Sequence, residues 1–270
     1  RPQVPLEDEP EIMREPAEGT PPVVDTATAL AETVAALSRG TGPFAVDAER
    51  AAGYRYSSRA YLIQIRREGS GTHLIDPIPL TDFTALAKVL ASDEWILHAA
   101  SQDLPCLREI GLVPPSVFDT ELAGRLLGRA HVGLGAMVAE DLGVTLAKEH
   151  SAYDWSLRPL PVSVLNYAAL DVEHLIPLRA LLAAELETAG KSEWARQEFE
   201  AVRTAPTPEP HPDPWRRTHH MGNVTRARGL AVVRELWKAR RKVAERLDIS
   251  PGRVLADRAI VGVASRSPLP

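Results

Sequence analysis

The order of apolar and polar positions divides the chain into an α/β region followed by a helical one. TATALAETVAAL has apolar residues at helical spacing, with Asp25 as the expected N-cap and Gly40 as the stop. The next runs, FAVDAE, AYLIQIR and THLID, resemble strands with no helical pattern between them, which predicts an antiparallel meander. Helix and strand patterns then alternate through TDFTALAKVLAS, EWILHA, SQDLPCLREIG and FDTELAGRLLG. The prediction is a mixed sheet flanked by helices.

Helical spacing returns at residues 133–142 and 162–188, where the pattern fits one or two helices. Between them, KEHSAYDWSLRPLP at 148–161 has no clear period, which predicts a loop beside a functional site. Further on, TRARGLAVVRELWKARRKVAERL predicts a long, basic, amphipathic helix, and ISPGRVLADRAI begins another.

Four segments are expected along the chain. Residues 1–24 are rich in proline and acidic groups without periodicity, so we expect a disordered tail. Residues 25–203 form the α/β domain. TAPTPEPHPDP at 204–214 has five prolines, which predicts a stiff, extended linker. A small, partial all-α domain is then expected over 215–270.

Length and composition exclude several classes of protein. With 270 residues, 44% of them hydrophobic, the chain can bury one α/β core and a smaller second unit. No apolar run approaches the roughly 20 residues that cross a bilayer, and RPQVPLEDEP is not a typical leader, so we expect a cytoplasmic protein without membrane contact. The single cysteine, Cys106, excludes an intrachain disulfide or a cysteine-based zinc cluster. Nothing in the sequence specifies an oligomeric state.

Charge is distributed unevenly along the chain. Residues 1–202 contain 17 Lys and Arg against 30 Asp and Glu, whereas residues 203–258 contain 13 against 6. An acidic body therefore carries a basic C-terminal region. This division suits a metal-using body joined to a region that attracts phosphate, although such charges also occur on ordinary solvated helix faces.

Asp47 and Glu49 form the first candidate site. Two residues apart on a strand, they face the same side about 7 Å apart and can reach one cation. The same spacing occurs at Glu7/Glu9, Asp119/Glu121, Glu185/Glu187 and Glu198/Glu200. Only Asp47 and Glu49 follow an apolar strand-like run, where carboxylates are costly without a cation or a donor. A capped strand end is the alternative.

Two further acidic positions complete the candidate set. Tyr167 and Asp171 lie four residues apart in NYAALDVEHL and share a helix face, so the phenol could orient a water while the carboxylate binds metal. A half-buried tyrosine beside a surface aspartate is the alternative. Asp103 in HAASQDLPCL follows a strand and opens a helix, where an acid can also serve only to stabilise the helix N-terminus.

The three motifs in this order resemble those of the DEDD exonucleases of the tyrosine subtype, specifically ribonuclease D. FAVDAE resembles the first exonuclease motif, HAASQDL the second and YAALDV the third, and the likeness spans roughly residues 40–188 through YLIQI, FDTELAGRLLG and DWSLRPLP. The resemblance implies a ribonuclease-H-like sheet in a 3′-5′ exonuclease domain over 25–203. The region from Trp215 resembles the start of the helicase-and-ribonuclease-D C-terminal (HRDC) domain, a helical nucleic-acid-binding module, so 215–270 would be a partial copy.

The resemblance also implies a reaction. Four carboxylates form a hard, oxygen-rich site, which suits two Mg²⁺ or Mn²⁺ ions. Asp47 would bridge both metals, and Glu49 and Asp171 would support one of them. Asp103 would support the other, and Tyr167 would position the attacking water. The implied activity is stepwise hydrolysis from the 3′ end of single-stranded or 3′-tailed RNA, with tRNA precursors as candidates and nucleoside 5′-monophosphates as products.

Four other residues are candidates for substrate contacts: His98, Gln102, Trp155 and Arg158. The alternatives are a structural histidine at a strand end, a packed tryptophan and a structural ion pair at Arg158. Two other functions stay open. A 3′-5′ DNA exonuclease would use the same carboxylates, which do not report a 2′-hydroxyl. A catalytically silent RNA-binding scaffold could keep the fold, although the five intact motif positions argue against it.

Overall fold

The computed structural model of the protein describes residues 12–147, 150 and 152–266, which divide into two compact units. The first unit runs to Glu49 and resumes over Ala60–Ala205. The second unit contains Arg50–Arg59 together with the chain from Pro206 onward. The sequence predicted one continuous α/β segment over 25–203, and residues 50–59 are the exception because their contacts are with the C-terminal helices.

The described strands form one large sheet and one short pair. Their bounds are β1 Ile12–Met13, β2 Val23–Val24, β3 Thr41–Glu49, β4 Leu62–Glu68, β5 Gly71–Ile75, β6 Trp95–Leu97, β7 Val117–Asp119 and β8 Thr145–Leu146. In the described residues, the large sheet has six strands in the order β2-β5-β4-β3-β6-β7. β3, β4 and β5 pair antiparallel, which confirms the predicted meander, and the other pairs are parallel.

Helices flank this sheet. Those of the first unit are α1 Ala27–Arg39, α2 Thr84–Leu90, α3 Leu104–Glu109, α4 Thr120–Leu126, α5 Leu134–Leu142, α6 Val162–Glu173, α7 Leu175–Thr188 and α8 Ser192–Thr204. The predicted mixed sheet flanked by helices is confirmed. Thr26 rather than Asp25 caps α1, because its side chain accepts a hydrogen bond from the backbone N–H of Ala29. The 162–188 segment forms two helices, α6 and α7, which meet at His174.

The expected tail is wrong for residues 12–24, whereas residues 1–11 lie outside the described part. β1 pairs with β8 and β2 with β5, so distant strands supply the hydrogen bonds that this stretch cannot make alone. Glu18 forms an ion pair with Arg66, and Val24 is buried in the core. Pairing with strands far along the chain leaves no periodic pattern in so short a segment.

The second unit has its own helices and its own small core. Its helices are α9 Ala227–Leu247, α10 Pro251–Val254 and α11 Asp257–Ser265. The buried members of its core cluster are Trp215, Val224, Val233, Ile260, Val261 and Ala264. Arg240 is buried on α9 and is neutralised by an ion pair with Asp257 at 2.5 Å. No helix in the described part of the chain combines the length and apolar character that a bilayer span requires.

Residues 50–59, which we call the β3–β4 loop, are held by the turn after α9. Asp248 ends α9 in the left-handed conformation, with φ of 48°, and its carboxylate accepts a hydrogen bond from the Ser57 backbone at 2.9 Å. The buried Ser250 donates from its hydroxyl to the Gly53 carbonyl and from its backbone N–H to the Tyr54 carbonyl, both at 3.0 Å. These backbone contacts explain why the loop belongs to the second unit.

Candidate active site

The C-terminal end of β3 presents Asp47 and Glu49 on one face of the sheet. Val46 and Ala48 alternate with them and lie in the hydrophobic core on the other face. Both acidic side chains are half-buried. Burying Val46 and Ala48 therefore directs the two carboxylates together to the face that α6 covers, where the packing of α6 against β3, β4 and β5 closes the site.

Helix α6 brings the third carboxylate. Asp171 follows Tyr167 by one helical turn, and its oxygen lies with those of Asp47 and Glu49 in a group whose ligand atoms are all within 4.8 Å of one another. This is the distance range in which one cation can bind several carboxylates. The structure therefore brings together three of the four predicted metal ligands.

Asp103 lies next to this group without joining it. The described ligand atoms that cluster within 4.8 Å belong to Asp47, Glu49 and Asp171. Asp103 is only 4% exposed and directly precedes α3, but its side chain makes no capping hydrogen bond to that helix. Simple helix capping therefore does not explain why this acid is buried here. Its negative charge acts on Asp171, as the electrostatics below show.

The turn before Asp103 is fixed by Asp119, which was not predicted as a site residue. Asp119 at the end of β7 is buried, and it accepts hydrogen bonds from the backbone N–H groups of Ala99 and Ala100 at 3.2 and 2.8 Å. Ala99 adopts the left-handed conformation, with φ of 58°. Asp119 also caps α4 through the N–H groups of Glu121 and Leu122. It thereby fixes the short 3₁₀ turn that leads to Asp103.

The carboxylates perturb one another electrostatically. Burial raises the pKa of Asp171 well above its ordinary value, and the negative charges of Asp47 and Asp103 raise that pKa further. Burial also raises the pKa of Tyr167, and the charges of Asp171, Glu49 and Asp47 add to the effect. Without a cation, the site disfavours the full set of negative charges. At neutral pH the Tyr167 hydroxyl stays protonated and can donate a hydrogen bond.

Tyr167 is half-buried, and aromatic rings surround it. The ring centroid of Trp155 lies 6.4 Å away in a tilted arrangement, and that of His150 lies 6.2 Å away edge to face. Both contacts come from the predicted loop between α5 and α6. The ring is therefore held by packing. Removing only the hydroxyl would keep these ring contacts and change only the chemistry of the group.

The four candidate substrate residues have different environments. Gln102 is exposed beside Asp103 and stays a prediction. Trp155 is 2% exposed, which favours the packing alternative because a buried ring offers no free face to a base. Arg158 pairs with Asp76 through two hydrogen bonds of 2.7 and 2.9 Å, and it donates to the Tyr61 carbonyl, which favours the structural ion pair.

His98 also has a structural environment. Its Nδ1 lies 2.8 Å from the Thr120 hydroxyl. Burial lowers its pKa although the charges of Asp119 and Glu121 oppose that shift. The imidazole is therefore neutral at pH 7, and it ties the end of β6 to the start of α4. This environment agrees with the alternative of a structural histidine at a strand end.

Gln64 also belongs to this site, although the sequence patterns did not predict it. This residue lies on β4 directly across from Asp47, and its side-chain amide donates to Asp47 Oδ2 and to Glu49 Oε1, each at 3.2 Å. The only signal in the sequence is a polar residue inside the apolar run YLIQI. That signal becomes interpretable only once the register between β3 and β4 is known.

The donor set fits a hard divalent cation. Every ligand atom of the cluster is a carboxylate oxygen, the type that Mg²⁺ and Mn²⁺ prefer. The raised pKa of Asp171 has the same cause that favours cation binding, namely negative charges held close together in partial burial. The cluster formed by Asp47, Glu49 and Asp171 is therefore a candidate metal centre.

Comparison with known proteins identifies the family. A sequence model described as 3′-5′ exonuclease matches residues 21–187. The chain belongs to the 3′-5′ exonuclease family. A second sequence model, described as HRDC domain, matches residues 229–269 of this chain.

Individual relatives agree with this assignment. Ribonuclease D of Escherichia coli strain K12 is 32% identical over 251 residues, covering 91% of this chain and 66% of the relative. The crystal structure of Escherichia coli RNase D has a TM-score of 0.71 at 30% identity and covers 92% of this chain and 67% of that one. The predicted resemblance to ribonuclease D is therefore confirmed.

Other solved structures are also similar. A protein from Bifidobacterium adolescentis is 44% identical with a TM-score of 0.92, covering 96% of this chain and 64% of that chain. The catalytic core of RRP6 from Trypanosoma brucei is 26% identical with a TM-score of 0.82, covering 92% and 71%. The chain spans about half to two thirds of the length of the curated relatives it matches.

Proposed function

We propose that this protein is a two-metal-ion exonuclease that removes nucleotides one at a time from the 3′ end of RNA. The observation that carries the proposal is the cluster of Asp47, Glu49 and Asp171, whose ligand atoms lie within 4.8 Å of one another on a 3′-5′ exonuclease fold. A similar solved structure, that of Brucella melitensis NrnC, is 28% identical to this chain and contains bound Mg²⁺. Mg²⁺ or Mn²⁺ is therefore the proposed cofactor.

The carboxylates have distinct proposed roles. Asp47 would help to hold both cations, Glu49 and Asp171 would complete one of the two sites, and Asp103 would contribute to the other from its buried position. Bound there, the cations supply water activation and charge neutralisation at the phosphodiester. Burial and the charges of Asp47 and Asp103 raise the pKa of Asp171, so a bound cation would offset the repulsion among these carboxylates.

Tyr167 has a proposed part that burial and charge constrain. Because its pKa is raised, the phenol remains neutral and does not act as a base at neutral pH. It would orient the attacking water by hydrogen bonding. The rings of His150 and Trp155 pack beside the tyrosine ring and hold the phenol in place. Tyr167 would therefore orient the attacking water, whereas the carboxylates would bind the cations.

The proposed substrate class is single-stranded or 3′-tailed RNA, with tRNA precursors as candidates and nucleoside 5′-monophosphates as products. The relatives named ribonuclease D support an RNA substrate, and the Escherichia coli structure is described as an exoribonuclease involved in structured RNA processing. We also propose a division of labour in which residues 25–203 carry the chemistry and residues 215–270 attract the RNA backbone. Residues 203–258 contain 13 basic against 6 acidic residues, which suits that role.

The test is a single-nucleotide-resolution assay. Purified protein is incubated with matched RNA and DNA oligonucleotides, each labelled at the 5′ end, with Mg²⁺, with Mn²⁺ or with excess chelator. We expect a ladder of shortened RNA only when a divalent cation is present, and mononucleotide products. Full RNA trimming in chelator would refute the metal mechanism. Equal trimming of DNA would refute the RNA preference, and RNA binding without trimming would identify a scaffold.

A further inference from the structure

Gln64 is a fully buried polar residue in the large sheet. It is 0% exposed on β4, between the fully buried Ile63 and Ile65. A buried amide in an apolar strand is unfavourable unless its polar atoms find partners. Its Nε2 has two such partners, Asp47 Oδ2 and Glu49 Oε1, each 3.2 Å away.

Strand register explains how one amide reaches two carboxylates. Asp47 is the direct antiparallel partner of Gln64, and Glu49 lies two residues further along β3, opposite Leu62. Side chains on one face of an antiparallel pair contact both the direct and the diagonal neighbour when they are long enough. Gln64 therefore lies where it can define the spacing between the two carboxylates.

The chemistry of the amide suits this position better than other donors would. A side-chain NH₂ carries two N–H donors and no charge, so it can hold two carboxylates at once. Lysine or arginine would place a positive charge at the same point and compete with a divalent cation. Each carboxylate has two oxygens with about four lone-pair sites, so accepting one hydrogen bond leaves capacity for a metal.

The other end of the amide shows that the carboxylates determine its orientation. Within the described residues, Gln64 Oε1 is buried and has no hydrogen-bond partner. Reversing the amide would direct that oxygen at two carboxylates, which would repel it. The side chain thus keeps an unsatisfied acceptor, which is costly, in order to direct both donors at Asp47 and Glu49.

We propose that Gln64 is a positioning residue that fixes Asp47 and Glu49 at the separation the divalent cations require. The inference rests on the proposed function, since it concerns carboxylates that bind metal. Gln64 acts through the two carboxylates and contacts neither metal nor RNA in this scheme. Residues of this kind, which hydrogen-bond to metal ligands, typically change metal affinity or activity by about 10- to 100-fold when they are replaced.

The test measures metal binding without RNA. Gln64→Met keeps the length of the side chain and removes both donors, and Mn²⁺ affinity is measured by calorimetric titration of the full chain. We expect the dissociation constant to rise about 10- to 100-fold. Arg66→Met is the matched control, because Arg66 is on the same face of β4 but donates to Glu18 and Thr72. It should change Mn²⁺ affinity less than about threefold, under ~1 kcal/mol, because its hydrogen bonds go to Glu18 and Thr72 rather than to Asp47 or Glu49.

A second variant keeps the inference testable if Gln64→Met unfolds. Gln64→Asn retains the amide but shortens it by one methylene, so it cannot reach both carboxylates, and we expect an intermediate loss of Mn²⁺ affinity. If the wild-type protein binds Mn²⁺ saturably and both Gln64 variants bind it with the same affinity, the inference about Gln64 is wrong and the proposed function is unaffected. If both variants unfold and Mn²⁺ does not restore them, Gln64 is a structural residue and the inference is wrong. Absence of Mn²⁺ binding by the wild-type protein would overturn the proposed function as well.

Discussion

Replacing Asp171 with Asn should make the metal-free protein more stable. The change removes one negative charge from the cluster and nearly preserves the shape of the side chain. In the folded protein, burial and the charges of Asp47 and Asp103 raise the pKa of Asp171, so ionising it opposes folding. The unfolded chain carries no such penalty. A catalytic carboxylate is thus expected to reduce stability, whereas a merely structural one would increase it.

The size of the effect follows from the geometry. The ligand atoms of Asp171, Asp47 and Glu49 lie within 4.8 Å of one another. At an effective dielectric constant of about 20, two unit charges at that distance repel by roughly 3 kcal/mol. Partial exposure and relaxation of the side chains reduce this value, so we expect a gain of about 1 to 3 kcal/mol. For a domain of this size that corresponds to a melting temperature roughly 2 to 10 °C higher.

The effect should depend on pH with a definite sign. Because the folded pKa of Asp171 is raised, its destabilising effect is absent below the ordinary value of 3.8 and grows as pH rises toward the folded pKa. The difference in melting temperature between Asp171→Asn and wild type should therefore be smallest near pH 4 and largest at neutral pH. Asp82→Asn is the control of opposite sign, because the backbone hydrogen bond from Thr84 lowers the pKa of Asp82.

The assay is thermal unfolding by calorimetry in excess chelator from pH 4 to pH 8, repeated with saturating Mg²⁺ or Mn²⁺. Cations that bind the folded state stabilise it by mass action. With saturating metal, the wild-type protein should therefore melt at a higher temperature than Asp171→Asn. If Asp171→Asn melts at or below the wild-type temperature in chelator at every pH, the carboxylates do not repel one another in the folded protein. The electrostatic argument for a metal site would then be refuted.

Three further predictions concern the neighbouring groups. Tyr167→Phe should reduce the single-turnover cleavage rate about 10²- to 10³-fold with unchanged Mn²⁺ affinity, and a rate within about threefold of wild type would show that the tyrosine is only packed there. Asp119→Ala removes the acceptor of four backbone hydrogen bonds, which should loosen the turn before Asp103. Both the denaturation midpoint and the single-turnover cleavage rate should therefore fall. If neither falls, Asp119 does not have this role. The double variant Lys242→Gln, Arg246→Gln should flatten the salt dependence of RNA affinity by about 0.7 for each phosphate that the protein no longer neutralises, and an unchanged slope would remove α9 from the RNA interface.

Local patterns in the sequence were sufficient to predict which of the candidate site residues share a face. The alternation in FAVDAE determines that Asp47 and Glu49 share a face, and the four-residue spacing places Tyr167 and Asp171 on one side of a helix. Both relations arise within a single element. The family resemblance then supplied the order in which those elements meet, which no single motif contains.

Relations between distant elements could not be read from local patterns. β1 and β2 have two residues each and exist only because β8 and β5 pair with them. The contact of Gln64 with the carboxylates requires the register of β3 against β4. Asp119 shares the two-residue acidic spacing of Asp47 and Glu49, yet its carboxylate binds backbone N–H groups. Spacing alone does not distinguish a capping acid from a metal ligand.

The β3–β4 loop can form its contacts with the turn after α9 only late in synthesis of the chain. Ser57 and its partner Asp248 are separated by 191 residues. At about 5 to 20 residues per second, a ribosome needs roughly 10 to 40 s to make the intervening chain. During that time β3 and β4 can already pair, whereas the loop that joins them still lacks Asp248 and Ser250. The segment leaving Glu49 therefore reaches its final structure only after α9 and the turn that follows it have emerged.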